Sequence, residues 1–195
     1  MKKLVLQMQM SVDGFVGDAG QRSWQIWNWG TGCLWDAELK RDFNAVIASV
    51  DTILLSRKMV EEGYLSHWAN AAKNFPLNDF YAFAQRITDV GKVVLTSKLE
   101  TSIWDRTVLA KGEISTEVNA LKRGKGGDIV TFGGAGLASS LIAAGLVDEY
   151  QFFINPAALG NGERIFAEAG FCNLSLLGSK SYSCGIMVNR YAPAR

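Results

Sequence analysis

The residues with the clearest chemical potential form a glycine cluster that follows a short apolar run, residues 129–132. The cluster comprises Gly133, Gly134, Ala135, Gly136 and Leu137. Glycine permits backbone angles that a Cβ forbids, and it lets a ligand approach the main chain closely. A helix is predicted over residues 137–144, with Gly145 at its end, and the first amides of a helix have no intrahelical partners. The cluster therefore predicts an anion site at a helix N-terminus.

Two other predicted strands end in basic turns that also carry hydroxyl groups. Residues 52–55 are followed by Ser56, Arg57 and Lys58, and residues 92–95 are followed by Thr96, Ser97 and Lys98. In open parallel sheets, ligands bind at the carboxyl ends of the strands. One phosphate group could bind the backbone amides of the glycine cluster and another could bind Arg57 and Lys98. A dinucleotide with a 2′-phosphate has that distribution, and solvated surface charge is the alternative.

Two common phosphate-binding motifs fit the glycine cluster poorly. A Rossmann fingerprint lacks its third glycine, because Ser139 stands there, and no acidic residue ends the next strand. Asp148 and Glu149 lie at the start of that strand instead. A Walker loop is excluded because no Gly-Lys-Ser/Thr follows the cluster.

Two acidic residues are candidates for proton transfer or substrate binding. On a helical wheel drawn from residue 35, Asp36 falls near the centre of the apolar face that Phe43 and Ile47 share. A carboxyl group in apolar surroundings should have a raised pKa, as a proton donor near neutral pH requires. The alternative is that Asp36 satisfies free amides in the first helical turn. Asp13 ends the first strand at the same sheet edge, where Asp-Gly is also an ordinary turn.

A tryptophan-rich segment and a single histidine complete the candidates. The segment, residues 23–35, contains Trp24, Trp27, Trp29 and Trp35 and shows neither helical nor strand periodicity. Its indoles could form a wall over a flat, ring-shaped substrate, or they could pack in the core or at a dimer contact. His67 is predicted to lie in a loop, and one histidine argues against a Ser-His-Asp triad and a multi-histidine metal site.

Composition limits the class of protein. The chain has 195 residues, 48% hydrophobic and 20% charged, with a net charge of +1. These values predict one globular domain over residues 1–195 and give no sign of a nucleic-acid partner. No apolar run approaches a membrane span, and the N-terminal residues are interpreted as a strand and not as a signal sequence. The three cysteines share no close spacing, so we expect no disulfide and no zinc, and a cytoplasmic location.

The hydrophobic pattern predicts strands that alternate with helices. Such alternation implies crossover connections and an α/β fold with a mostly parallel sheet. The end of the chain differs, because residues 174–183 and 186–191 flank Cys184-Gly185 and predict an antiparallel hairpin. The other predicted strands are residues 4–10, 52–55, 92–96, 107–110, 129–132 and 149–154. The predicted helices are residues 35–49, 58–64, 79–87, 116–121 and 137–144.

Four ordered motifs resemble the dihydrofolate reductase-like fold family, in the branch of the reductase domain of bacterial riboflavin-biosynthesis deaminase-reductases. The motifs span nearly the whole chain, so the resemblance implies a single-domain, mixed but mostly parallel sheet flanked by helices. They are Ser11-Val12-Asp13-Gly14-Phe15-Val16, the segment 51–58, the glycine cluster with segment 145–149, and the segment 156–162.

The resemblance implies an NADPH-dependent reductase of a small heterocyclic, ribosylamino-pyrimidine-like or pteridine-like substrate. By position, Arg57, Lys58, Ser97 and Lys98, with Thr96 in the same turn, would surround the adenosine 2′-phosphate. Gly133 through Leu137 would bind the pyrophosphate, Val16 would border the nicotinamide, and Asp36 would be the acid. Asp13 and Trp35 are the substrate-side candidates, no metal is expected, and a homodimer is the expected assembly.

Two residues depart from the family pattern. Ser56 stands where the family usually has glycine, and Met59 where it usually has a hydroxyl residue. These departures leave a second function open, a non-catalytic nucleotide-binding protein that retains the fold. A folate reductase proper is disfavoured because the chain lacks the proline-containing Trp loop of those enzymes.

Overall fold

The computed structural model describes residues 1–17, 35–167 and 170–194. In this part of the chain, eight strands form one sheet in the order β4-β3-β2-β5-β1-β6-β8-β7. The strands β1 to β6 run parallel, and β8 and β7 are antiparallel at one edge. The strands are β1 Leu4–Ser11, β2 Val50–Ser56, β3 Gly91–Leu95, β4 Thr107–Ala110, β5 Asp128–Thr131, β6 Glu149–Asn155, β7 Leu174–Ser181 and β8 Met187–Pro193.

Six α-helices in the described residues cover the two faces of the sheet. They are α1 Ala37–Ala48, α2 Arg57–Glu61, α3 Tyr64–Asn74, α4 Ala82–Asp89, α5 Ile114–Arg123 and α6 Ala135–Ala143. Alternate strand residues point to opposite faces, so β2 sends Ile53 and Leu55 to one core cluster and Leu54 to the other. The first cluster contains residues of α1, α3 and α4, and the second contains residues of α5 and α6. The predicted fold class, with its C-terminal hairpin, is confirmed.

One helix was not predicted, and a loop was predicted in its place. Residues 64–74 form α3, and His67 lies within it. Gly63, with φ of 91°, separates α2 from α3, so the helix predicted over residues 58–64 is interrupted and covers most of α2 and only the first residue of α3. The loop prediction is wrong because Trp68, Ala71 and Ala72 recur at helical spacing and are buried in the first core cluster.

Most of the tryptophan-rich segment lies outside the described residues, and this includes Trp24, Trp27 and Trp29. Trp35 is only 5% exposed and belongs to the first core cluster. Its ring stacks on Phe153 with centroids 5.4 Å apart and meets the edge of Phe43 at 5.2 Å. For Trp35, packing in the core therefore accounts for the observed position, and a substrate contact stays a prediction.

Three other features bear on the expectations from composition. Among the described residues, no helix is long and apolar enough to cross a bilayer. The same residues contain no group of three or more His, Cys, Asp or Glu side chains placed to hold a metal ion. Cys172 and Cys184 carry free thiols.

Candidate functional site

The carboxyl ends of β2, β3 and β4 and the start of α6 surround one open pocket of about 400 Å³. We call it the strand-end pocket. The sheet order places β2 between β3 and β5, so turns that are far apart in sequence meet at this edge. The pocket is lined by Ser56, Arg57, Leu95, Thr96, Ser97, Lys98, Lys111, Gly112, Ile114, Gly136, Leu137 and Ser140. It thus brings together basic side chains, hydroxyl groups and a helix N-terminus.

Arg57 is the first residue of α2 and forms an ion pair with Glu61, one helical turn later. This pair raises the pKa of Arg57, so the guanidinium stays charged. Lys58 is the next residue of α2, and its side chain is 77% exposed. It forms an ion pair with Glu62, with a distance of 3.7 Å. The pocket therefore includes Arg57 but does not include Lys58, and the expected role of Lys58 at a phosphate finds no support in this arrangement.

The turn after β3 is built by Thr96. Its Oγ1 accepts hydrogen bonds from the backbone amides of Lys98 (3.0 Å) and Leu99 (3.2 Å). This local cap fixes the direction of the turn and places Ser97 and Lys98 at the pocket.

Lys111 also lines the pocket, although it was not predicted from the sequence. It follows β4, and its Nζ lies 2.8 Å from Glu100. The strand-end rule, applied to residues 107–110 as it was to the other strands, would have found it.

The glycine cluster forms the turn from β5 into α6. Gly133 has a φ of 104°, and a Cβ there would lie 3.0 Å from the Sδ of Met8 on β1. The first helical hydrogen bond runs from the amide of Ala138 to the carbonyl of Gly134. The amides of residues 135–137 consequently have no intrahelical acceptor, and the helix dipole makes this end electropositive. A Cβ on Gly136 would meet nothing within 4 Å, so space for a ligand lies directly against the main chain.

A second pocket of about 320 Å³, the aromatic pocket, also borders the glycine cluster, at Gly134. Gly134 and Phe132 belong to β5 and its turn, and the remaining residues come from α2, α3 and their junction. Its lining is Met59, Glu62, Gly63, Tyr64, His67, Trp68, Phe132 and Gly134. Burial raises the pKa of Tyr64, which therefore stays a neutral phenol. Flat apolar walls beside the turn suit a planar ring. This pocket was not predicted from the sequence, because α3 was not predicted.

Ser56 and Met59, the two departures from the family pattern, are joined by a hydrogen bond at the start of α2. Ser56 is the N-cap of α2, and its Oγ accepts a hydrogen bond from the amide of Met59 at 3.2 Å. The φ of Ser56 is −82°, an ordinary extended conformation that needs no glycine. Its Cβ therefore fits the backbone at this turn without strain.

Asp36 does not have the surroundings predicted for it. It is the N-cap of α1, and its carboxylate accepts hydrogen bonds from the amide of Leu39 (2.8 Å), the hydroxyl of Ser183 (2.7 Å) and the amide of Cys184 (3.1 Å). The amide of Leu39 first, and then Ser183, lower the pKa of Asp36 to about 2. The predicted raised pKa is wrong, since these donors stabilise the charged form, and the alternative of a helix cap is confirmed. A catalytic role for Asp36 stays a prediction, and a raised pKa does not support it.

Asp13 is likewise held by hydrogen-bond donors. It accepts from the hydroxyl of Ser11 (2.6 Å) and from the amides of Leu159 (3.1 Å) and Gly160 (2.7 Å), which lower its pKa to about 2. The carboxylate thereby joins the end of β1 to the loop after β6. A substrate contact for Asp13 stays a prediction. Val16 packs against the second core cluster, and its position beside a nicotinamide stays a prediction as well.

We expect Asp36→Ala to lower the free energy of unfolding by about 1 kcal/mol, because the first-turn amides of α1 lose their acceptor. Asp36→Asn should cost clearly less, since an asparagine oxygen can still cap the helix. Urea denaturation followed by circular dichroism measures both. Equal losses in the two variants would show that the cap does not explain the role of Asp36 in stability.

The lowered pKa values also predict how stability depends on pH. The folded-state pKa values of Asp13 and Asp36 lie near 2, below the ordinary value of 3.8. Their contribution is therefore complete above pH 3.8 and is lost as the pH falls towards 2. Urea midpoints measured across this window should fall, and fall less steeply in an Asp13→Asn, Asp36→Asn double variant. An identical slope in the double variant would contradict this assignment.

A match to the model of one protein family shows to which family this chain belongs. The model of the RibD C-terminal domain matches residues 2–188. The chain belongs to this family. Its membership supports a reductase-like function, and it agrees with the resemblance found in the motifs.

Individual relatives agree with the family and the fold. The chain is 27% identical to the uncharacterized protein YyaP of Bacillus subtilis over 188 residues, which cover 95% of this chain and 92% of that protein. A putative riboflavin biosynthesis protein from Shewanella sp. PV-4 has a similar structure, with a TM-score of 0.67, 19% identity and 99% of both chains covered. A dihydrofolate reductase from Enterococcus faecalis, complexed with NADP(H), gives a TM-score of 0.59 at 14% identity over 99% of this chain and 97% of that one.

Proposed function

We propose that the protein is an NADPH-dependent reductase that acts on a small heterocyclic substrate, of the ribosylamino-pyrimidine or pteridine kind. The observation that carries the proposal is the strand-end pocket, where Arg57, Lys98 and Lys111 line the same cavity as the N-terminal turn of α6. RibD C-terminal domain membership and the NADP(H) complex of the structurally similar dihydrofolate reductase support it.

The described residues fit such a cofactor. The amides of residues 135–137 would bind the pyrophosphate, because the space against Gly136 is open and the helix end is electropositive. Arg57 would hold the adenosine 2′-phosphate through charge-assisted hydrogen bonds, with Ser97 and Lys98 beside it. When bound, NADPH supplies a hydride.

The substrate ring would lie in the aromatic pocket, against Tyr64, Trp68 and Phe132. This pocket shares the glycine cluster with the strand-end pocket, because Gly134 lines one and Gly136 the other. A dinucleotide bound along the cluster would therefore reach both. The aromatic walls would orient the ring and exclude water from it.

A non-catalytic nucleotide-binding function is the second candidate. One observation favours it: the carboxylate proposed as the acid, Asp36, is held in its charged form by three donors. The protein loaded with NADPH, mixed with a panel of pyrimidines and pteridines, distinguishes the two by loss of reduced-nicotinamide absorbance. We expect oxidation with at least one member of the panel. Stable binding of NADPH with no oxidation by any member would favour the second function.

A further inference from the structure

The proposed reduction needs a proton as well as a hydride, and Asp36 is poorly suited to supply the proton. Asp36 caps α1 and accepts hydrogen bonds from three donors, and its pKa is lowered to about 2. A carboxylate held in this way stays ionised near neutral pH and has no proton to give. The proton must therefore come from another side chain at the substrate, or from water.

The aromatic pocket has three lining residues with an ionisable side chain, Glu62, Tyr64 and His67. Burial raises the pKa of Tyr64, so its phenol is a very weak acid. The side chain of Glu62 is 63% exposed and forms an ion pair with Lys58, and exposed carboxyl groups carry no proton near neutral pH. Histidine is the side chain that exchanges a proton most readily near neutral pH. His67 is therefore the best suited of the three to donate a proton.

The position of His67 at this pocket is set by α3 and by the neighbouring Trp68. The backbone amide of His67 donates to the carbonyl of Gly63 at 2.8 Å, in the first turn of the helix. Its ring makes a T-shaped contact with the indole of Trp68, with the centroids 4.5 Å apart and the planes at 79°. Trp68 is only 1% exposed and is packed in the first core cluster. The imidazole therefore rests on a rigid part of the molecule.

The imidazole of His67 is available to a ligand and to solvent. Within the part of the chain that the structure describes, no side chain or backbone group forms a hydrogen bond or an ion pair with its ring nitrogens. Around the pocket, α2 contributes the charge of Glu62, whereas β5 and its turn contribute only the uncharged Phe132 and Gly134. His67 is an exposed residue, so water can return a proton to its ring.

We propose that His67 is the proton donor of the reduction, an inference that rests on the proposed function. The nitrogen of a substrate C=N bond takes the proton of the His67 imidazolium as the carbon accepts the hydride that NADPH supplies. One N–H bond and one C–H bond replace the π bond, and the two electrons that the substrate gains are those lost in the oxidation to NADP⁺. The neutral imidazole then recovers its proton from solvent.

One NMR signal reports on His67 without any turnover. His67 is the only histidine of the chain, so the Cε1–Hε1 signal of its imidazole is unique. Titration with 6-methylpterin, with and without NADP⁺, should shift this signal saturably. It should also raise the pH at which the imidazole loses its proton, because a ring nitrogen that accepts a hydrogen bond favours the imidazolium. A saturable shift at the amide of Gly134 with no change in the His67 signal would overturn the proposal.

His67→Ala tests the proposal in single turnovers, in protein loaded with NADPH and mixed with the member of the pyrimidine and pteridine panel that oxidises it fastest. Hydride transfer should slow by about a hundredfold or more, the usual contribution of a general acid, while calorimetry shows an unchanged affinity for NADPH. The rate in the unaltered protein should fall as the pH rises and the imidazolium loses its proton, and the rate in the variant should not. Free imidazole in the buffer should restore part of the rate, an effect that a purely structural role would not produce.

Asn70→Ala is the matched control for His67→Ala. Asn70 is also an exposed residue of α3, but it does not line the aromatic pocket. Its loss should change the rate by less than about twofold, the size of a surface substitution. A rate in His67→Ala equal to that of the control would overturn the proposal and leave the proposed function intact. No oxidation of NADPH by any panel member in the unaltered protein would overturn both.

Discussion

Arg57→Ala should weaken NADPH binding by about tenfold to a hundredfold and NADH binding by no more than about threefold. Hydrogen bonds to a charged group contribute about 1.5–3 kcal/mol, which corresponds to this range in affinity. Only NADPH carries the 2′-phosphate that Arg57 would hold, so the loss should be selective. Isothermal titration calorimetry with both dinucleotides measures the difference directly.

Lys58→Ala is the matched control for this prediction. Lys58 is adjacent in sequence and carries the same charge, but it pairs with Glu62 and does not line the strand-end pocket. Its loss should change the affinity for either dinucleotide by less than about twofold, the size of a weak surface ion-pair effect. Equal losses of NADPH and NADH in Arg57→Ala would show that Arg57 does not bind the 2′-phosphate.

Gly136→Ala should give a protein that is more stable but binds both dinucleotides more weakly. Gly136 lies in the first turn of α6, where alanine is favoured over glycine by about 0.5–1 kcal/mol. Its new methyl group would meet no protein atom within 4 Å. It would, however, occupy the space through which a pyrophosphate reaches the amides of residues 135–137. We expect the melting temperature to rise and the affinities for NADPH and NADH to fall by at least about tenfold each.

Gly178→Ala is the control for Gly136→Ala. Gly178 also has no neighbour within 4 Å of a Cβ, but it lies on β7, away from the glycine cluster. It should leave both affinities unchanged. A more stable Gly136→Ala variant with unaltered affinity would show that the pyrophosphate binds elsewhere. Together, a selective loss at Arg57 and a general loss at Gly136 would locate the two ends of the dinucleotide.

Local patterns explain why much of the fold could be predicted. Apolar runs between turn residues identified the strands, and the strand-end rule then placed Arg57, Lys98 and Gly136 at one edge of the sheet. The outcome for Asp36 shows the limit of the helical wheel. The wheel assumes helical geometry, but Asp36 is an extended N-cap with ψ of 172°, so its side chain turns back to the amides of the first turn.

Other parts of the site depend on contacts that a sequence pattern does not contain. The aromatic pocket depends on the break at Gly63, between the end of α2 and the start of α3. This break determines where Tyr64 and Trp68 lie. The row of polar side chains formed by Gln7, Gln151 and Arg190 depends on the register of β1 against β6 and of β6 against β8, between residues more than a hundred positions apart in the first case. In the sequence, Gln7 and Gln9 are polar residues within the apolar run of β1, and nothing local identifies their partners, which are distant in sequence.

Calorimetric titration of the unaltered protein with NADPH is the decisive experiment for the proposed cofactor site. We expect saturable binding of one NADPH per chain, tighter than that of NADH, because the strand-end pocket offers Arg57, Lys98 and Lys111 to the 2′-phosphate. The absence of binding at a near-millimolar concentration of NADPH, in a protein shown by circular dichroism to be folded, would contradict it.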